Sequence, residues 1–138
     1  MMGSVNHSLT QARLTRLLGN LDKYEVFTEL SIEIDKVEYK PDVCLYPKLK
    51  INYLKDNVKM LEMPLLAIEV ISPSQYIQDL VNKVEVYFNA GIKSCWIATP
   101  IYKSITVFSN FENFEVFSKG NVIDNILGIE LSINEIFK

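Results

Sequence analysis

The run Leu65-Leu66-Ala67-Ile68-Glu69-Val70-Ile71-Ser72, "LLAIEVIS", decides the fold and sets its problem. Apolar residues on both faces over this length mark a central strand covered on each side. Alternation puts Leu66, Ile68 and Val70 on one face and Leu65, Ala67, Glu69 and Ile71 on the other. Glu69 therefore points into a covered cleft. An ionised carboxyl there costs on the order of several kcal/mol unless it has a cation, several donors or a proton of its own.

A second carboxylate stands upstream in "KPDVCLY", residues 40–46, where Asp42 follows a proline of the kind found at a strand's start or edge. Neighbouring strands lie about 5 Å apart, close enough for Asp42 and Glu69 to share one divalent cation. Mg²⁺ suits such a pair, because it takes one or two carboxylates and completes its shell with water and phosphate oxygens. Downstream, Lys83 in "DLVNKVEVY" (79–87) lies at the edge of an apolar helix face beside Leu80 and Tyr87, so its head can reach the strand ends. Each residue has a plainer reading. Glu69 can be a buried carboxyl met by local donors, Asp42 a turn residue, and Lys83 the partner of Asp79 in a surface pair one turn apart.

Outward from this centre the pattern is mixed α/β. Leu14, Leu17, Leu18 and Leu21 recur at helical spacing, and Ser8 with Gln11 reads as a capping box, predicting a first helix over 8–21. "YEVFTELSIEI" (24–34) alternates as a strand, and the polar turn "DKVE" (35–38) returns the chain into "YKPDVCLY" as a hairpin partner. Residues 48–63 read either as a short helix exposing Lys48, Lys50, Lys55 and Lys59 or as a long loop. After strand 65–71, Ser72 reads as an N-cap with Pro73 and Gln75 behind it, opening a helix that ends at Gly91. "KSCWIATP", "KSITVFSN" and "NFEVFSK" follow as three strands, the last two a hairpin, and Ser132 with Glu135 suggests a final capped turn. Tyr87 and Trp96 read as core aromatics.

Composition narrows the function classes. At 138 residues, 49% hydrophobic and 22% charged, the chain suits a single globular domain over 1–138. A net charge of -3 gives no global attraction to nucleic acid, so any such binding needs a local basic face or metal ions. Cys44 and Cys95 are far apart with no second ligand beside either, which predicts free thiols and no zinc site. No apolar run is long enough to span a bilayer. "MMGSVNHSLT" lacks a signal-peptide pattern, and "MGSVNH" misses the myristoylation pattern at its last position. The expectation is a cytoplasmic protein with no membrane partner.

Taken in order, "KPDVCLYP", "PLLAIEVISPS", the Asp79, Lys83, Tyr87 spacing and "AGIKSCWIATP" resemble the Uma-two family of "putative restriction endonucleases", a branch of the PD-(D/E)XK nuclease superfamily. The resemblance runs from about His7 to "GIELSINEIF". It implies a restriction-endonuclease-like α-β-β-β-α-β core, with a mixed central sheet flanked by helices. It further implies Mg²⁺ (or Mn²⁺) held by Asp42, Glu69 and the backbone carbonyl of Val70, with Lys83 completing the catalytic set. The superfamily's usual lysine stands two residues after the acidic one, where this chain has Ile71; in this branch the lysine comes from the following helix, which matches Lys83. His7 matches a histidine ahead of the family's first helix, Glu29 or Glu33 could add a carboxylate, and Tyr87 is a further accessory residue. Family members usually carry an additional segment ahead of that helix. The resulting expectation is a Mg²⁺-dependent endonuclease acting on DNA as a homodimer, the dimer resting on the apolar hairpin "ITVFSNFENFEVF" and on analogy. The rival from another class is an inactive nuclease-fold member serving as a nucleic-acid or protein-binding module.

Overall fold

The computed structural model describes residues 3–138; Met1 and Met2, which open the stretch read above for signal and lipidation patterns, lie outside the described residues. Helix α1 runs Val5–Asn20. It starts one turn earlier than the sequence predicted: Ser4, not Ser8, is the N-cap, and its side chain accepts the His7 N–H at 3.1 Å. Ser8 is inside the helix, its N–H bonded to the Ser4 carbonyl. The first strand is also shorter than the alternation implied. β1 spans Tyr24–Thr28 and stops where Glu29 adopts a left-handed φ of 53°. The chain then forms a separate hairpin of β2 (Ile32–Ile34) and β3 (Val37–Tyr39), closed by Asp35 and Lys36, both at positive φ as a tight two-residue hairpin turn requires.

β4 (Val43–Pro47) pairs antiparallel with β1, and β5 (Leu66–Val70) antiparallel with β4. The intervening segment contains no helix; it is an irregular loop tied to the small hairpin by Met60, which exchanges backbone hydrogen bonds with Ser31 and Glu33. Helix α2 (Ile77–Asn89) carries the chain over to β6 (Ser94–Thr99), parallel to β5. It begins later than expected. Ser72 and Gln75 make a turn of their own, the Ser72 N–H reaching the Gln75 side chain and the Gln75 N–H the Ser72 carbonyl, while Tyr76 is the cap residue. Gly91 at φ 101° ends the segment as predicted.

A single-turn 3₁₀ helix, Pro100–Tyr102, leads into the hairpin of β7 (Ser104–Asn110) and β8 (Asn113–Phe117). The central mixed sheet has the order β1-β4-β5-β6-β7-β8. A third hairpin, β9 (Asn121–Asp124) with β10 (Ile129–Ser132), was not foreseen. Asp124 fastens it: the buried carboxylate accepts from Ser94 Oγ, from Trp96 Nε1 at 2.8 Å and from the Ile126 and Leu127 N–H groups. Helix α3 (Ile133–Ile136) closes the chain without a side-chain cap from Ser132.

Each face of the sheet is covered. Leu66, Ile68 and Val70 pack with Leu14 and Leu18 of α1 and with the β9–β10 hairpin, whereas Ala67 and Ile97 pack with Leu80, Val84 and Tyr87 of α2. β5 is buried along its whole length, which is why it reads as a nearly unbroken apolar run. The one charged residue in it stands at 3% exposure.

Candidate active site

Glu69 lies on the α2 side of β5, near the strand's end. β4 and β5 pair Val43 with Ile68, so one further step sets Asp42 opposite Glu69. The two carboxylates thus come together because Pro41-Asp42 begins one strand where Glu69-Val70 ends its antiparallel neighbour. Asp42 is held in place by the sheet itself, its Oδ2 accepting the Val70 N–H at 2.7 Å. Glu69 is held by the helix: the Tyr87 hydroxyl donates to its Oε2 at 2.6 Å. Its Oε1 faces the Lys83 ammonium at 3.8 Å, too long for a direct hydrogen bond but a close ion pair. Asp79, Lys83 and Tyr87 follow one another at four-residue spacing, and the latter two converge on Glu69. Lys83 does not pair with Asp79; its charge is spent on the buried carboxylate, with its own side chain about one-third exposed.

His7 is inside the first turn of α1, not ahead of it, and is buried against the sheet. Its Nε2 stands 3.3 Å from Asp42 Oδ2 but without hydrogen-bond alignment, so this buried nitrogen is left with no bonded partner. The other accessory carboxylates lie elsewhere. Glu29 meets Asp42 only through its backbone N–H, its side chain accepting from Gln11 at the surface, and Glu33 pairs with Lys59 beside the loop. Tyr87, read from sequence as a core aromatic and by the resemblance as an accessory residue, is buried in the core and donates its hydroxyl to Glu69; it also packs edge-on to Tyr39. No periodicity signals the hydroxyl end of a buried tyrosine. Cys44 and Cys95 are buried free thiols, as expected.

Electrostatically, the pair is frustrated. Burial, and then the neighbouring Asp42 charge, push the Glu69 carboxyl up to about 7, against the lowering effects of Lys83 and Tyr87. Burial also raises Asp42, opposed by the Val70 N–H and by His7. Two carboxylates facing each other in a dry cleft favour a shared positive charge or a shared proton. Among the described residues no group of three or more His, Cys, Asp and Glu side chains could cage a metal ion. A two-carboxylate set still fits a hard divalent cation that keeps water or phosphate oxygens in the rest of its shell. The raised carboxyls are the feature such an ion would relieve.

Comparison with known proteins identifies the family and the fold. The Uma2 family model, described as "Putative restriction endonuclease", matches residues 1–134. Among solved structures, the chain is similar to one described as "a putative nuclease belonging to DUF820" from Anabaena variabilis ATCC 29413. The identity is 18%, the alignment covers 99% of this chain and 83% of that one, and the TM-score is 0.81, a likeness that shows the fold. Comparison with curated proteins yields no match. Among the described residues no helix is long and apolar enough to cross a membrane.

Proposed function

This chain belongs to the Uma2 family of nuclease-fold proteins, and on that footing we propose that it is a Mg²⁺-dependent endonuclease that hydrolyses phosphodiester bonds in DNA. The observation that carries the reading is the constellation at the end of β5: two buried carboxylates from adjacent strands, with the Lys83 ammonium 3.8 Å from one of them. Asp42, Glu69 and the Val70 backbone carbonyl are the groups that would hold Mg²⁺ or Mn²⁺. When bound, the ion supplies charge neutralisation at the scissile phosphate and a water of lowered pKa.

The remaining work belongs to the chain's own side chains. Lys83 orients the attacking water or stabilises the charge that develops on the phosphate oxygens, acting from α2 because position 71 carries isoleucine. Tyr87 fixes the Glu69 carboxylate by its 2.6 Å bond, and the Val70 N–H does the same for Asp42, so neither ligand has to be ordered when substrate arrives. His7 stands beside Asp42, its Nε2 3.3 Å from the Asp42 Oδ2.

Calorimetric titration with Mg²⁺ and Mn²⁺, run alongside plasmid cleavage, tests the proposal. Metal binding with Mg²⁺-dependent cleavage that Lys83→Ala abolishes supports it. Metal binding without cleavage of any DNA or RNA substrate refutes the enzyme and leaves the nuclease fold as a binding module.

A further inference from the structure

The sheet face that carries Glu69 continues beyond it. Glu69, Ile97 and Thr106 are neighbours across β5, β6 and β7, and Thr99 with Ser104 is the following pair on that face. Ile71 lies two residues past Glu69 and shares its side of the strand. Ile71, Thr99 and Thr106 line a cavity of about 740 Å³, together with Ile77 at the start of α2, Gln75 and Tyr102. By strand geometry Ile71 is about 7 Å from Glu69 along β5 and Thr106 about 10 Å across the sheet, so the cavity opens beside the carboxylates and not on a remote surface.

Its chemistry is unlike that of a phosphate-binding groove. No lysine or arginine is among its described lining residues, and the chain carries a net charge of -3. Gripping a duplex backbone takes several cations. The cavity instead offers apolar side chains, threonine hydroxyls and an amide. At its rim Tyr102 is 75% exposed. That ring is not on a loose loop: Pro100 opens the 3₁₀ turn, the Lys103 N–H closes it on the Pro100 carbonyl at 3.0 Å, and Lys103 turns the chain back at φ 49°. An uncovered aromatic ring on an ordered backbone turn, beside hydrogen-bonding groups, matches a nucleobase, which has a π-face for stacking and a polar edge.

We propose that this cavity is a subsite for an unpaired base next to the scissile phosphate, so that the preferred substrate is single-stranded or locally unpaired nucleic acid and not an intact duplex. The inference rests on the nuclease reading above and adds the substrate class to it. A base held in a duplex stack cannot enter a cavity floored by the sheet; one already unpaired enters without the cost of unstacking.

Fluorescence anisotropy with a short phosphorothioate-linked oligonucleotide, single-stranded or annealed to its complement, provides the test in Mg²⁺ buffer. The single strand should bind at least about tenfold tighter than the duplex. Tyr102→Ala should weaken single-strand binding about tenfold, within the range of base–aromatic stacking, and Tyr102→Phe should restore it. Because Tyr102 is exposed, both variants should melt with the parent. Equal or tighter duplex binding, or a Tyr102→Ala affinity within about twofold of the parent, overturns the inference. The rise in parent Tm on adding Mg²⁺ reports the nuclease reading separately. If that rise is present while Tyr102→Ala has no effect, only the base subsite fails; if neither the rise nor any oligonucleotide binding occurs, the nuclease reading fails and takes the subsite with it.

Discussion

Replacing Glu69 by glutamine in metal-free protein should stabilise it, and the amount should depend on pH. In the folded chain burial and Asp42 raise the Glu69 carboxyl from its ordinary 4.5 to about 7. A carboxyl raised on folding keeps its proton in the native state after the unfolded chain has lost it, so stability is fully present below about pH 4.5 and falls as pH rises toward 7. At about 1.4 kcal/mol per pH decade, that interval amounts to about 3 kcal/mol lost by pH 8. Glutamine carries no charge to desolvate and still offers an oxygen to the Tyr87 hydroxyl. For 138 residues, a melting entropy of about 2.1 cal/mol/K per residue turns about 3 kcal/mol into about 10 °C of Tm. Thermal melts of parent and Glu69→Gln in EDTA, from pH 4.5 to 8.5, should therefore coincide at the acid end and diverge by up to about 10 °C at the alkaline end. Parallel curves with a constant offset, or a variant less stable at pH 8, would show that Glu69 is ionised and satisfied by Lys83 and Tyr87 alone.

The same frustration governs the other expected outcomes. Saturating Mg²⁺, at about 100 times its Kd, should raise parent stability at pH 8 by about 2.7 kcal/mol and Glu69→Gln by little, read as Tm shifts. Asp42→Asn should raise the metal-free Tm at pH 8, because it removes the like charge facing Glu69, while weakening the Mg²⁺ response; an unchanged Mg²⁺ response would exclude Asp42 as a ligand. Tyr87→Phe, which removes the donor to Glu69 Oε2, should cost about 1–3 kcal/mol of stability by chemical denaturation and carry the pH-dependent loss of stability on to higher pH, because the bond it removes holds the Glu69 carboxyl down. Lys83→Ala should lose most cleavage but keep metal binding by calorimetry, while Asp79→Ala keeps both. Light scattering should show a homodimer in the micromolar range if the apolar β7–β8 edge is self-associating; a monomer throughout would set that expectation aside.

What the sequence disclosed follows from where it broke its own pattern. Glu69 was legible because a carboxylate inside an apolar strand has no cheap explanation, and Asp42 because a proline fixed the start of the neighbouring strand. Lys83 came from helical spacing, and the ion pair with Glu69 agrees with that geometry. The failures have equally definite causes. Alternation continues smoothly through residues 24–34, so a period of two cannot reveal that Glu29 turns left-handed and ends β1; no glycine marks the spot. Ser4 and Ser8 are both good caps, and only the path of the backbone entering α1 decides between them. The β9–β10 hairpin has four-residue strands, and the contact that docks it, Asp124 on Trp96 and Ser94, spans about 30 residues of chain. His7, which the resemblance set ahead of the first helix, lies inside it, because α1 starts one turn earlier than the Ser8 capping box implied.

Position 71 links the displaced lysine to the neighbouring cavity. Strand positions 69 and 71 share a face, so a lysine at 71 would project beside Glu69, but it would also stand in the cavity lining that Ile71 now provides. An ammonium there would bring charge and a hydration shell into a space otherwise lined by Ile77, threonines and Tyr102. Drawing the cation from α2 avoids that conflict: Lys83 reaches Glu69 from the helix side, with its stem along the helix edge and its head still partly in water. With the Lys83 ammonium beside Glu69, the isoleucine at 71 leaves the adjoining cavity wall apolar. The two features are a single structural choice, and a substitution such as Ile71→Lys in a Lys83→Ala background acts on both at once, returning a cation to Glu69 while making the cavity hostile to a base.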